Sequence, residues 1–421
     1  MWAVILGCMQ TIVMFEDLGT FDLLPLVYWR TVFELRCGRK TLLDRLADSL
    51  GRPVGGLWTR DWIATVAGER FQLPVNAPIE PGTVLVNGRA LLGPRIEFAA
   101  PPYVGRQDGQ IVYISCDAAL AERLTPEALL DADRQEQLLS GVPQGPVDSG
   151  QAGMVNHLWD LVSRNADQLL ADWSSEDRAL EGKVSSSALL LEPDSIHIGQ
   201  RALVEATAVI DAQEGPVYIG EGARIRPHAY LVGPVYIGPG SVVHPFSYIH
   251  GGTTIGPMCK VAGEIDGCII TGYSNKQHDG FLGHSYVGGW VNIGAGTTNS
   301  DLKNTYGPVR VRPRGREIDT GLTFFGSIIA DHVKTGIQQI LPTGAVIGFA
   351  SMVATGQTLP KFVPSFSWLT DAGCTDGDVE RLLATAQLVM SRRNVTCSEA
   401  EAELFRETAR RAPQYESADP S

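Results

Sequence analysis

From Ile219 to Val261 a single register holds Ile219, Ile225, Leu231, Ile237, Val243, Ile249, Ile255 and Val261, one aliphatic residue every six. An α-helix repeats at about 3.6 residues and a half-buried strand at about 2, so neither produces this spacing. Glycine follows several of the aliphatics, as in Ile219-Gly220, Ile237-Gly238 and Ile255-Gly256. The pattern predicts a parallel β-helix of hexapeptide repeats, each a short strand and a turn. The aliphatic points inward, and stacked units share one continuous core. Ile198, Val204 and Ile210 announce the register, and an insertion around Glu214-Gly215-Pro216 breaks it. It returns at Val287 and Ile293, then at Leu341, Ile347 and Val353. The repeat is legible from about Ser195 to Gly356, inside an expected domain at 191–370. Its interruptions, which the repeat does not need, are where function is expected.

The net charge of −13, from 34 basic and 47 acidic residues, argues against a nucleic-acid binder, which needs a basic face. Seven cysteines with no C-x-x-C spacing read as reduced thiols of a cytoplasmic protein. The apolar opening MWAVILGCMQTIVMF lacks a basic flank and is too short to span a bilayer, so no membrane span is expected. A start of translation at Met14 is the plainer expectation.

Residues 14–145 read as an α/β domain. Leu42, Leu43, Leu46 and Leu50 line one side of a helix over Thr41–Leu50. Thr83–Asn87 and Gln110–Ser115 are strand-like. A linker and connecting helix are expected over 146–190, with Gly153–Asp177 as one long amphipathic helix. Two helices at 371–421 are expected to cap the solenoid's open edge, which also supplies a structural reading for Arg392 and Arg393. The second of them opens on Ser398-x-x-Glu401, a capping box.

The densest polar stretch runs from Thr271 to Ser300 and contains His278 and His284. His278 lies between Lys276 and Asp279, and a neutral imidazole near a carboxylate suits general-base work near neutral pH. As turn residues, the same side chains would only pack loop on coil.

The run YSNKQHDGFLGHSYVGGWVNIGAGTTNSDLKN resembles the active-site segment of hexapeptide-repeat acyltransferases. It is most similar to the acetyltransferase half of the bifunctional N-acetylglucosamine-1-phosphate uridyltransferase/glucosamine-1-phosphate acetyltransferase family. That resemblance implies His278 as catalytic base, Phe281 and Asn292 as substrate contacts, and Ala295 and Ser327 at the acetyl-CoA site. It also implies a left-handed β-helix, a homotrimer with active sites between subunits, and a role in cell-envelope biosynthesis. The implied reaction needs one positioned base to take the proton from an amine attacking the thioester.

Two features depart from the family. Asp266 stands where a phosphate-binding lysine is expected, leaving Lys276, Lys303, Arg310 and Arg312 as candidate cations for an anionic substrate. Arg310, Arg312, Arg314 and Arg316 alternate along one face of an extended basic arm, readable as a lid over an anion or as solvated surface. The N-terminal half, from Phe15-Glu16-Asp17 to Gly38-x-x-Thr41-Leu42, resembles a divergent sugar-nucleotidyltransferase branch of the same family. There the Gly-rich phosphate loop is missing. Asn87-Gly88-Arg89 replaces an expected N-G-D, so an arginine stands in place of an Mg²⁺ ligand. Arg30, Arg36 and Lys40 remain candidates for binding a sugar phosphate or nucleotide, and Mg²⁺ is implied only if this domain is active.

The leading expectation is an acetyl-CoA-dependent N-acyltransferase on an amino sugar phosphate or nucleotide sugar, coupled to sugar-1-phosphate nucleotidyl transfer if the N-terminal domain is active. A non-catalytic sugar-nucleotide-binding scaffold on the same fold is the alternative. A third reading is a γ-carbonic-anhydrase-like zinc enzyme using His250, His278 and His284. That family spaces two of its histidines five apart, whereas His278 and His284 are six apart.

Overall fold

The computed structural model describes residues 11–51, 53–93, 96–147, 152–313 and 317–417. The chain forms two compact units. The first comprises residues up to Leu23, Arg30–Leu35 and Lys40–Asn156; the second comprises Leu24–Trp29, Arg36–Arg39 and His157 onward. Two short N-terminal segments therefore fold with the C-terminal half.

The first unit is built on a six-stranded mixed sheet. Its strand order is Gly56–Trp58, Ile12–Phe15, Val84–Asn87, Gln110–Ser115, Tyr103–Gln107 and Gln144–Pro146. The predicted helix begins at Leu42 under the cap of Thr41, whose hydroxyl accepts from the Asp44 amide. Ile12 and Val13 are buried in the Ile12–Phe15 strand, so a chain starting at Met14 would lack half of it. Residues 1–10 lie outside the described residues. The linker-like stretch supplies two more strands: Gln144–Pro146, and Ala152–Met154 paired with Ala90–Leu92.

The long helix expected over Gly153–Asp177 is broken into Asp160–Ser163 and Asn165–Ala171. The break has a polar cause. The buried Asn165 amide donates to the Gly252 carbonyl and the Thr254 hydroxyl, and its oxygen accepts from the Gly38 amide.

The second unit is the left-handed parallel β-helix of hexapeptide repeats. It begins at Ala179–Leu180, earlier than the periodicity announces, and ten strands stack along its first face to Phe362–Val363. From Val217 register partners are eighteen residues apart: Ile219 pairs with Ile237, Ile225 with Val243, Leu231 with Ile249. Each is fully buried in one core running from Ile196 to Leu369. Full burial of one such side chain is worth about 1.5–3 kcal/mol. The coils then tighten. Ile255 pairs with Ile270, fifteen residues on, and Val261 with Lys276.

The polar stretch 271–300 stays within the coils. Tyr286–Val287 continues the first face, and Thr298–Asn299 pairs with Ile340–Leu341. The true excursion comes later, between Asp301 and Gly326, before the core resumes at Ile329.

The C-terminal helices, Val379–Ser391 and Glu399–Glu416, lie along the coils and do not close the open edge. That edge, Ser367–Thr370, is paired by the antiparallel strand Gly373–Asp376, which takes up its backbone hydrogen bonds. The helices instead bury Phe405 against Trp29, Phe349 and Phe366.

In the first unit Arg89 and Asp17 form a buried bidentate pair, Nε to Oδ1 at 2.7 Å and Nη2 to Oδ2 at 2.6 Å. The Arg89 guanidinium also donates to the Val155 carbonyl and to Asn156 and Gln110. Removing one partner strands a buried charge. Arg89→Ala is expected to cost about 3–5 kcal/mol by denaturant unfolding; a loss below about 1 kcal/mol would mean the pair is dispensable.

Candidate active site

On the second face the inward column reads Val204, Ile225, Val243 and Val261, and then Lys276. The lysine occupies an aliphatic position with its ammonium turned to backbone carbonyls: Nζ donates to Ala262 O at 2.9 Å and His278 O at 2.7 Å. Burial pulls its pKa down to about 8, against a smaller opposing effect of Asp279. Lys276 therefore does not reach out to a substrate, as its place in the sequence suggested. It pins the turn that carries His278.

His278 itself is exposed, and among the described residues its imidazole has no hydrogen-bonding partner. Beside it stands His244, which sequence reasoning passed over. Burial lowers the His244 pKa, helped by the charges of Arg226, Lys260 and His278. Its Nε2 is buried without a partner.

Asn292 continues an outward ladder through Asn275 and Lys334. Asn275 Nδ2 reaches Asn292 Oδ1 at 3.5 Å, and Arg393 Nη2 donates to Asn275 Oδ1 at 2.8 Å. Arg393, read from sequence as a capping residue, thus braces the polar coil. The Ala295 carbonyl accepts from the Gln338 amide. The Phe281 ring lies over Gly283, where a Cβ would fall 2.5 Å from the ring and 2.3 Å from Asp301 Oδ2. His284 Nδ1 lies 2.8 Å from that same Asp301 oxygen.

The excursion forms a hairpin, Arg310–Val311 against Ile318–Asp319. Lys303 Nζ donates to Pro308 O, and Lys361 Nζ donates to Arg310 O. Arg310 is met by Glu317 at 2.9 Å, and Arg312 is exposed. Burial lowers the Lys361 pKa; Glu317 raises it, and Lys303 and Arg310 lower it further, so the three cations share one neighbourhood. Lys361 was not anticipated from the sequence. Arg314 and Arg316 lie outside the described residues.

Other expected contacts are placed elsewhere. Ser327 is fully buried, its amide donating to Ser285 Oγ, because the first-face register turns this residue toward the core. Arg30 and Lys40 belong to the first unit and Arg36 to the second. Lys40 pairs with Asp48 at 2.6 Å. The Arg36 amide donates to the Tyr286 hydroxyl, and its guanidinium donates to the Arg39 carbonyl and lies 5.9 Å from the Tyr236 ring centroid.

The residues present do not fit a magnesium ion in the first unit. Both Asp17 oxygens are engaged by Arg89, and Asn87 Nδ2 donates to one of them. A resident guanidinium repels a divalent cation. Among the described residues no three His, Cys, Asp or Glu side chains converge as metal ligands. His250 faces Glu264, and His284 faces Asp301. Among them, too, no helix is long and apolar enough to cross a membrane.

Fold and sequence agree on a solenoid of hexapeptide repeats following an α/β unit. Residues 12–178 match the sugar nucleotidyl transferase family, and residues 216–251 match the six-repeat bacterial transferase hexapeptide family. A bifunctional GlmU protein from Methanococcus vannielii is 30% identical over 106 residues, 25% of this chain and 25% of that one. A bifunctional sugar-1-phosphate nucleotidylyltransferase/acetyltransferase from Sulfurisphaera tokodaii is 33% identical over 100 residues, 24% of this chain and 25% of that one. These alignments span about a quarter of the relatives' own length. The solved UDP-N-acetylglucosamine acyltransferase from Campylobacter jejuni is 13% identical, covers 53% of this chain and 95% of its own, and has a TM-score of 0.25. Over these stretches the chain is similar to bifunctional sugar-1-phosphate nucleotidylyltransferase/acetyltransferases.

The depressed Lys276 pKa fixes a sign. Above about 8 the folded lysine releases its proton, while the unfolded one holds it to 10.5. The unfolded state binds more protons in that window, so the lysine's contribution to stability rises with pH. Unfolding free energies of the parent chain and Lys276→Met, measured from pH 7 to 10, should diverge in favour of the parent as pH rises. A constant difference would mean a solvated ammonium.

Proposed function

We propose that this protein is an acetyl-CoA-dependent N-acyltransferase whose acceptor is an amino sugar phosphate or a nucleotide-linked amino sugar. The observation that carries the reading is the Asn275–Ser300 coil. It interrupts an aliphatic column with a buried lysine in order to hold an exposed imidazole on a pinned turn. No packing requirement accounts for that arrangement. His278 takes the proton from the attacking amine, the nitrogen adds to the thioester carbon, and the carbon–sulfur bond breaks. Phe281 and Asn292 contact the acceptor. Lys303, Arg310 and Arg312 on the arm, with Lys361 beside it, supply positive charge for its anionic group. That role would otherwise fall to the position held by Asp266. Ala295 lies toward acetyl-CoA.

The working form is a cytoplasmic homotrimer with its sites between neighbouring subunits. The first unit, with its Asp17–Arg89 pair where a metal would bind, serves to bind or support and does not catalyse magnesium-dependent nucleotidyl transfer.

Thiol release from acetyl-CoA, followed with a panel of amino sugar phosphates, tests the reading. One sugar should support turnover, and His278→Ala should lower it by about a hundredfold or more without altering circular dichroism; full activity in that variant would remove His278 as the base. Arg310→Ala combined with Arg312→Ala should raise KM for the anionic acceptor roughly tenfold and leave kcat within about twofold. Unchanged kinetics would make the arm solvated surface.

A further inference from the structure

The solenoid is uneven at one corner, the one between its second and third faces. Across that corner six positions separate the inward residues Val243 and Ile249, and six separate Lys276 and Leu282. In the coil between them, Val261 and Ile265 are only four apart. That coil lacks two corner residues. It turns on Ala262, which is buried, and on Gly263, at a left-handed φ of 78°. A Cβ on Gly263 would fall 2.9 Å from Gly280 O and 3.1 Å from Lys276 Nζ, so the short corner is drawn tight under the coil above.

The shortfall leaves a notch with an aromatic floor. Thr207, His228 and Phe246 each follow an inward aliphatic by three residues, and their φ values are 62°, 63° and 61°. Their side chains stack. His228 Nδ1 lies 2.9 Å from Thr207 Oγ1, and the His228 and Phe246 rings are parallel to within 13° at 4.9 Å. The stack stops at Phe246 because the next coil has no residue at that place. With His228 under one face, the phenyl ring turns its other face to the notch, and Phe246 is 76% exposed. Above the notch the register resumes: Asp279 takes the place of Phe246, and His278 that of Pro245, both exposed.

We propose that this notch seats the sugar ring of the acceptor, with Phe246 as the platform beneath it. The inference rests on the acyltransferase reading above and deepens it, by giving the acceptor's ring a place and a specificity residue. The height of the notch carries it. Successive coils are about 4.8 Å apart, so the Phe246 and His278 coils lie roughly 10 Å apart along the axis. A pyranose lies against an aromatic face at about 4 Å. About 6 Å then remains, room for an amino substituent and one hydrogen bond of about 3 Å. A ring on Phe246 is therefore at the level from which its nitrogen can pass a proton to His278. The hydrogens on the apolar side of a pyranose suit the negative face of the phenyl ring. The Asp279 carboxylate offers acceptors to the sugar hydroxyls. Phe246 moves no proton; it positions the group that loses one.

The parent chain, Phe246→Ala and Phe246→Tyr are assayed for thiol release with acetyl-CoA and the panel of amino sugar phosphates. Circular dichroism and gel filtration check fold and assembly. Phe246→Ala should raise KM for the acceptor about tenfold, with KM for acetyl-CoA within about twofold and kcat within about threefold of the parent. Phe246→Tyr, which keeps the ring, should bring the acceptor KM back to within about twofold. Saturation-transfer NMR on the sugar phosphate that turns over fastest, without acetyl-CoA, should show contact to its ring C–H protons in the parent and in Phe246→Tyr. That contact should be lost in Phe246→Ala. An unchanged acceptor KM in Phe246→Ala would overturn the placement and leave the acyltransferase reading standing. So would a variant that elutes as a smaller assembly, because the ring would then be a subunit contact. A parent chain that releases no thiol with any amino sugar phosphate would remove both.

Discussion

An aliphatic side chain must return to the solenoid axis once in every strand, and the second unit obeys this rule for as long as it has nothing else to do. From Val217 to Val261 each coil repeats the last, and the column at its centre is fully buried. The departures are concentrated in the next two coils. There Lys276 replaces an aliphatic, Asn292 joins a polar ladder, and the spacing between stacked residues falls from eighteen to fifteen. Beyond them the second-face column is restored at Val353 and Leu369, while the first-face column through Ile270, Val287, Ile329, Ile347 and Val363 is never interrupted. Regular coils on both sides carry the cost of the irregular pair.

Lys276 shows how the cost is met. A buried ammonium is expensive unless bonded. Here it is bonded to two carbonyls, one of them His278 O. The stabilised backbone is that of the turn presenting His278, so the burial of one residue determines the position of another. The His284–Asp301 pair uses the reverse arrangement: the carboxylate is nearly buried and the imidazole reaches solvent.

Much of the solenoid is legible in the sequence because its period transcribes a contact. Residues six apart occupy successive faces, and residues one coil apart stack. That arithmetic could also have found Asp301. It stands seventeen residues after His284, the spacing that separates Ile270 from Val287 in the neighbouring strands. The signal was hidden because the coils had already shortened, and nothing local in Ile255–Lys276 announces a shorter turn. Lys276 was read as reaching for a ligand because a lysine is ordinarily solvated; only the register shows that its position faces inward. Arg89 was recognisable as a substitution for a metal ligand, but its partner Asp17 lies 72 residues away and no spacing rule connects the two. Glu399–Glu416 was clear from its capping box, whereas the break at Arg164 depends on Asn165 meeting Gly252, a contact made only in the folded chain.

The arm between Asp301 and Gly326 leaves the coil and rejoins it with the register intact, its two ends tied by the bond from the Phe325 amide to the Asp301 carbonyl. Such a junction makes the arm exchangeable. A differently charged hairpin can be accommodated at the same point as long as Val309 and Val311 keep their buried places. The exposed charges of the arm and the stability of the fold are then largely under separate control, so the polar residues of the hairpin can change while the coils that carry it are inherited unchanged.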